Sequence, residues 1–235
     1  MKFIFYDEWT NKRVKKIENI FGRDWFCGKN ILDLGAAHGD IGIHFLKLGA
    51  DVLFADARSQ HLRSIHRELF ETGHSVRSIM LNQNKKYDLE ETFDLILHTG
   101  VLYHIENWKQ DLECVMNHTN LMMLESVVNV EDCASGTVLD PDLWTKEYNA
   151  IGGRNPIFSQ EDVENHLSDL GCKFFRFDTS DLNTNWSWET AVNGQNSLVK
   201  HLYDWNYEQC KMGYYKMNHS EKNIIHFRRM WLVLK

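Results

Sequence analysis

Two acids and a run of small residues are the first groups in this chain whose types and spacing point to chemistry. The stretch Asn30-Ile31-Leu32-Asp33-Leu34-Gly35-Ala36-Ala37-His38-Gly39-Asp40 carries an apolar run with one acid into a turn of glycine and alanine. Small residues let the backbone approach a ligand without a Cβ clash. An ordinary strand-to-helix turn has the same composition, so a second observation is needed. Asp56 supplies it at the end of the next apolar run, about 20 residues past Gly35, the spacing of a carboxylate that binds ribose hydroxyls. The glycines read G-x-x-x-G rather than the dinucleotide pattern G-x-G-x-x-G, and Asp33 stands two residues before the first of them. A carboxylate there opposes a pyrophosphate and suits a cofactor with an ammonium group. The pattern disfavours a nicotinamide dinucleotide.

These residues need elements to hold them, and the first half of the chain alternates strand and helix. Ile31–Leu34 and Asp51–Ala55 read as strands, followed by strands near Val76–Leu81, Phe93–Leu97 and Leu121–Val128. A helix starts near Asp40 with Ile41, Phe45 and Leu48 on one face and stops at Gly49; a second carries Leu62, Ile65 and Leu69 and stops at Gly73. Before the first strand, Val14, Ile17 and Phe21 mark an amphipathic helix that covers the sheet or closes over a cofactor. Such alternation implies right-handed crossovers and a parallel sheet, with its ligand at the carboxyl ends of the strands. In the second half, Ser159 and Asp162 open a helix, Cys172–Phe177 alternates like a strand, and Asn223–Leu234 is a long final strand.

With those residues in place, Asp33 to Gly39 resembles motif I of the class I S-adenosylmethionine-dependent methyltransferases, with Ala37 standing for the middle glycine. The resemblance covers about residues 30–128 well and the remainder only in general layout. It implies a doubly wound α/β fold: a mostly parallel, seven-stranded, Rossmann-like sheet with helices on both faces and the last strand antiparallel. It implies S-adenosylmethionine as cofactor, with Asp33, Gly35, Ala37, Gly39, Asp56, Asn82 and Thr99 as the cofactor-binding set. Within that set Asp56 matches the ribose acid, and Asn82 stands where the family often has an aspartate on the adenine amino group. The run Phe93 to His104, ending Gly100-Val101-Leu102-Tyr103-His104, is similar to the family's fourth strand and the turn facing the methionine and the substrate. Its wording resembles methyltransferases of small molecules and of tRNA wobble uridine derivatives.

Past that turn the assignments divide. His104 is the candidate general base for an acceptor hydroxyl, or else a histidine hydrogen-bonded at a helix start. Tyr103 is a pocket wall on the substrate side. Arg154, in Gly152-Gly153-Arg154-Asn155-Pro156, either holds a substrate carboxylate or phosphate or is a solvated loop arginine. Arg228 and Arg229 fall on opposite faces of the last strand, one exposed and the other paired. The aromatics from Trp186 to Tyr215 form a cap core or stack on a base or sugar.

Bulk properties narrow the class. At 235 residues, 43% apolar and 25% charged, the chain suits one globular domain spanning 1–235, with cap insertions at about 129–158 and 179–222. A formal charge of −7 argues against tracking duplex DNA, and no Asp-Pro-Pro-Tyr-like tetrad of the DNA amino-methylating enzymes occurs. Five cysteines without a C-x-x-C pair fit a reduced, cytoplasmic protein without a zinc site. No apolar run approaches the roughly 20 residues of a membrane span, and no histidine–carboxylate cluster has metal spacing. The expected reaction is in-line methyl transfer to oxygen or nitrogen of a small molecule or an exposed nucleotide. Its rivals are methyl or carboxymethyl transfer to tRNA wobble uridine, and a non-catalytic module that binds the cofactor only to dock partners.

Overall fold

The computed structural model describes residues 4–129, 151, 156, 158–177, 179, 182, 214–219 and 222–235, with the backbone alone for 4–9, 129, 214–219 and 222–227. Arg154 and nearly all of both cap insertions, including Trp186, Trp188 and Tyr203, lie outside the described residues. In chain order the elements are α1 (Ile4–Phe21), β1 (Asn30–Leu34), α2 (Asp40–Lys47), β2 (Asp51–Asp56), α3 (Ser59–Glu71), β3 (Arg77–Met80), β4 (Leu95–Thr99), α4 (Trp108–His118), β5 (Leu121–Asn129), α5 (Gln160–Asp169), β6 (Lys173–Arg176), β7 (Tyr214–His219) and β8 (Lys222–Leu234).

Seven strands form one sheet in the order β3-β2-β1-β4-β5-β8-β6. The pairs from β3 to β5 are parallel, and β8 runs antiparallel to both its neighbours. The eighth strand, β7, pairs antiparallel with the first half of β8, end to end with β6.

Side-chain alternation along the strands builds two cores. Ile31, Val52, Phe54, Leu95 and Leu97 pack with α1, α2 and α3 on one face. Leu32, Leu34, Leu53, Ile96 and Leu124 pack with α4 and α5 on the other. Helix α5 begins with a full capping box: Ser159 Oγ accepts from the Asp162 amide at 3.0 Å, and Asp162 accepts from the Ser159 amide at 2.8 Å.

The sequence reading and the structure differ at β4, which runs Leu95–Thr99 rather than Phe93–Leu97. Phe93 makes only an isolated bridge to Thr119. At the other end the strand continues through His98 and Thr99, both buried. His98 is tolerated there because its Nε2 meets Asp111 Oδ2 of α4 at 2.7 Å.

Candidate functional site

From β1 the chain turns outward through β2 to β3, then returns to the other side of β1 with β4, so the order reverses between β1 and β4. The turns after these two strands touch. Gly35 has φ +74°, and a Cβ there would lie 2.5 Å from Val101 Cγ2 in the turn after β4. Only glycine permits both the conformation and the approach. The Gly35 and Ala36 amides donate to the Ala55 carbonyl at 2.8 and 3.0 Å, which hooks the turn over β2. Ala37 adopts φ +48°, a left-handed conformation that an L side chain resists, at the position where the resembling motif has glycine. Its amide donates to Asp56 Oδ2 at 2.9 Å, which helps to hold that conformation. Gly39 also has positive φ and packs against Ile65 of α3.

Asp56 ends β2 with its carboxylate buried. Oδ1 accepts from the Arg58 amide at 2.8 Å, and His61 Nδ1 of α3 lies 3.1 Å from the same oxygen. Burial pushes this carboxyl up, but His61 and the Arg58 and Ala37 amides outweigh it and hold the group below the usual carboxylate range. Asp33 is different. It faces α2 from within β1, and its Oδ2 accepts from the Gly42 amide at 3.0 Å. Burial pushes its pKa up to about 7 against that hydrogen bond, with Asp56 and Asp40 adding repulsion. Gly42 is required beside it, since a Cβ there would lie 2.6 Å from Asp33 Oδ2.

Beyond β3, Asn82 Oδ1 accepts from the Asn84 amide at 3.0 Å and closes the turn that follows the strand. Asn84 then joins this loop to the segment after β4: its Oδ1 accepts from the Glu106 amide at 2.7 Å, and its carbonyl accepts from Asn107 Nδ2 at 2.9 Å. Thr99 is the last residue of β4 and is buried. Tyr103 and His104 lie in a 3-10 turn, Leu102–His104, with ring centroids 4.1 Å apart. His104 is half-buried. Tyr103 is buried in the core, and the Arg228 guanidinium lies 5.6 Å from its ring centroid.

Arg13, Glu125 and the network around Asp111 escaped the sequence reading. Arg13 of α1 is fully buried and bonds Glu125 at the carboxyl end of β5, with Nε 3.2 Å from Oε2 and Nη2 3.1 Å from Oε1. Arg228 Nη1 reaches Glu125 Oε1 at 2.9 Å. Arg229 is buried too and donates to Gln160 Oε1 at 2.7 Å, so neither arginine of β8 is the exposed one expected. Under the loop after β3, Asp111 accepts from Tyr87 at 2.9 Å, Gln83 at 3.2 Å and His98. A polar residue inside the apolar run Leu95-Ile96-Leu97-His98 was the available signal for this network.

The comparisons with known proteins agree with this geometry. Residues 32–120 match the family model described as a methyltransferase domain. No curated protein matches the sequence significantly. Among solved structures, coclaurine N-methyltransferase bound to N-methylheliamine and S-adenosylhomocysteine is 16% identical, with a TM-score of 0.63, covering 96% of this chain and 72% of that one. The N-terminal domain of EvdMO1 with S-adenosylhomocysteine bound is 12% identical, with a TM-score of 0.60, covering 96% of this chain and 80% of that one. An S-adenosylmethionine-dependent methyltransferase from Clostridium acetobutylicum is 14% identical, with a TM-score of 0.56, covering 97% and 91%. Residues 32–120 are thus similar to a methyltransferase domain, and the fold as a whole is the one these S-adenosylmethionine-dependent methyltransferase structures share. Because 979 chains of known structure match, the fold by itself says nothing about the methyl acceptor.

Proposed function

We propose that this chain is a class I S-adenosylmethionine-dependent methyltransferase that acts on a small molecule or a single exposed nucleotide and transfers the methyl group in line to oxygen or nitrogen. One observation carries the reading: the turns after β1 and β4 meet at Gly35 and Val101, with Asp56 tied to the same turn through Ala37. Gly35, Ala37 and Gly39 keep the turn free of bulky side chains where the cofactor approaches. Asp56 takes the ribose, and Asn82 and Thr99 border the adenine and methionine portions. Asp33 places a buried carboxyl beneath the turn, its pKa raised by burial, and a ligand's ammonium group would favour its charged form where a pyrophosphate would oppose it.

When bound, S-adenosylmethionine supplies an electrophilic sulfonium methyl. The protein's part is to position the acceptor, worth up to about 7–11 kcal/mol in ideal cases, and to take its proton. His104, one turn past β4, is the base in this reading, and Tyr103 and Arg154 bound the acceptor side. Coclaurine N-methyltransferase, whose structure carries a small-molecule ligand, supports a compact acceptor. The net charge of −7 weighs against duplex DNA.

The test measures S-adenosylhomocysteine formed with a small-molecule extract, with tRNA and with duplex DNA, for the wild type and His104→Gln. Turnover is expected with the extract, and His104→Gln is expected to lower kcat by about 10²–10⁴-fold with little change in cofactor affinity. Methyl transfer to duplex DNA would contradict the reading, and transfer to tRNA alone would favour the wobble-uridine assignment. Full activity of His104→Gln would remove the base.

A further inference from the structure

Asp111 has no role in the assignments above, yet the loop that carries Asn82 is tied to it. It is buried in the first turn of α4. Three donors converge on its carboxylate among the described residues. Tyr87 Oη donates to Oδ1 at 2.9 Å, Gln83 Nε2 donates to the same oxygen at 3.2 Å, and His98 Nε2 meets Oδ2 at 2.7 Å. Burial and the adjacent Asp111 push the Tyr87 phenol far up, so its hydroxyl keeps the proton that it donates. A buried acid is costly to remove from water and is tolerated when its lone pairs are occupied. Such a satisfied network is directional and rigidifies what it joins.

What it joins are the segments that border the proposed cofactor site. Gln83 and Tyr87 belong to the loop after β3 and follow Asn82 in the chain. Within that loop Asn82 is closed into a turn: its carbonyl accepts from the Lys85 amide at 3.0 Å, and its Oδ1 accepts from the Asn84 amide at 3.0 Å. Just before it, the Leu81 amide donates to the Asp56 carbonyl at 3.1 Å. The turn is therefore fixed to β2 at its start and to α4 through Asp111. His98 precedes Thr99 at the end of β4. One buried carboxylate thus links the loop on the adenine side to the strand end on the methionine side.

We propose that Asp111 is a positioning residue for the adenine end of the cofactor, acting through Gln83 and Tyr87 on the loop that carries Asn82. It touches no ligand itself. The role rests on the reading of Asn82 as the residue on the adenine amino group.

The experiment is calorimetric binding of S-adenosylhomocysteine and of S-inosylhomocysteine, which has an oxygen in place of the adenine amino group. The proteins are the wild type, Asp111→Leu, Asp111→Asn and Tyr87→Phe. The wild type is expected to prefer S-adenosylhomocysteine. Asp111→Leu is expected to weaken that ligand about three- to tenfold, as for one hydrogen bond, and to leave S-inosylhomocysteine unchanged. Asp111→Asn still accepts from Tyr87 and Gln83, and its amide can donate to His98 in the other ring tautomer, so it is expected to keep the wild-type preference. Equal loss for both ligands in Asp111→Leu, no loss for either, or an Asp111→Asn that behaves like Asp111→Leu would overturn the role of Asp111. A wild type that does not distinguish the ligands would overturn the adenine reading of Asn82, and the role of Asp111 with it. Should Asp111→Leu fail to fold, Tyr87→Phe decides: removing one hydroxyl is expected to narrow the preference in the same direction, and an unchanged preference overturns the proposal.

Discussion

Asp33 and Asp56 are chemically identical side chains, and their surroundings set them apart. Asp56 is held ionised by two amides and an imidazole, whereas Asp33 has one amide and deep burial. An acid whose folded pKa is raised makes the fold more stable when protonated. Its favourable contribution is complete below the unfolded value near 3.9 and declines as pH rises toward its folded value of about 7. Asp33→Asn, which retains an acceptor for the Gly42 amide, is therefore expected to melt above the wild type at pH 8, with the difference shrinking toward pH 5. Thermal unfolding across that range checks this, and a difference independent of pH would contradict it. Both acids were legible in the sequence by spacing. Their unequal burial was not, because it depends on which face of the sheet each occupies and on what α2 and α3 bring against it.

Strands and helices were legible wherever one periodicity held without interruption. The reading of β1, β2, α2 and α3 needed only apolar spacing and a terminal glycine or acid. Strand β4 was misplaced because its last two residues are polar, and their burial depends on a helix distant in sequence. Helix α4 has Trp108, Leu112 and Val115 at helical spacing, a signal that the strand-focused reading passed over. The turns between elements allow a direct test of the site's architecture. Gly35 and Gly73 both have φ +74°, but a Cβ meets Val101 at Gly35 and nothing within 4 Å at Gly73. Both alanine variants incur left-handed strain, about 1–2 kcal/mol, and Gly35→Ala adds a steric term of about 1–3 kcal/mol. Chemical denaturation should show Gly35→Ala as the less stable variant, with cofactor affinity lost in that variant alone. Equal stability of the two would mean that the turns after β1 and β4 do not depend on their contact.

Across the whole molecule, Glu125 joins parts of the chain more than 100 residues apart: Arg13 near the start, 112 positions away, and Arg228 near the end, 103 positions away. Nothing in local spacing announces such a cluster, so only the strand arginine Arg228 was legible in the sequence, without its partner. Burial raises the Glu125 pKa, but Arg13 and Arg228 outweigh it and hold the carboxyl low. Its stabilising contribution is thus present above the unfolded value near 4.3 and is lost as pH falls through the lower folded value. Glu125→Gln leaves buried arginine without its carboxylate and is expected to cost about 3–5 kcal/mol at pH 7. Denaturant unfolding measures it, and a loss below about 1 kcal/mol would show that the cluster adds little beyond an exposed pair.

At the same scale, the proposed site lies where the turns after β1 and β4 meet and takes an adenosine cofactor with an ammonium group, its ribose held by Asp56. Titration calorimetry with S-adenosylhomocysteine and with NAD, on the wild type and Asp56→Ala, tests it most directly. One S-adenosylhomocysteine site per chain is expected, with no measurable NAD binding and a loss of about 1.5–3 kcal/mol in Asp56→Ala, the scale of a hydrogen bond to a charged group. Tight NAD binding, or S-adenosylhomocysteine affinity unchanged in Asp56→Ala, would contradict it.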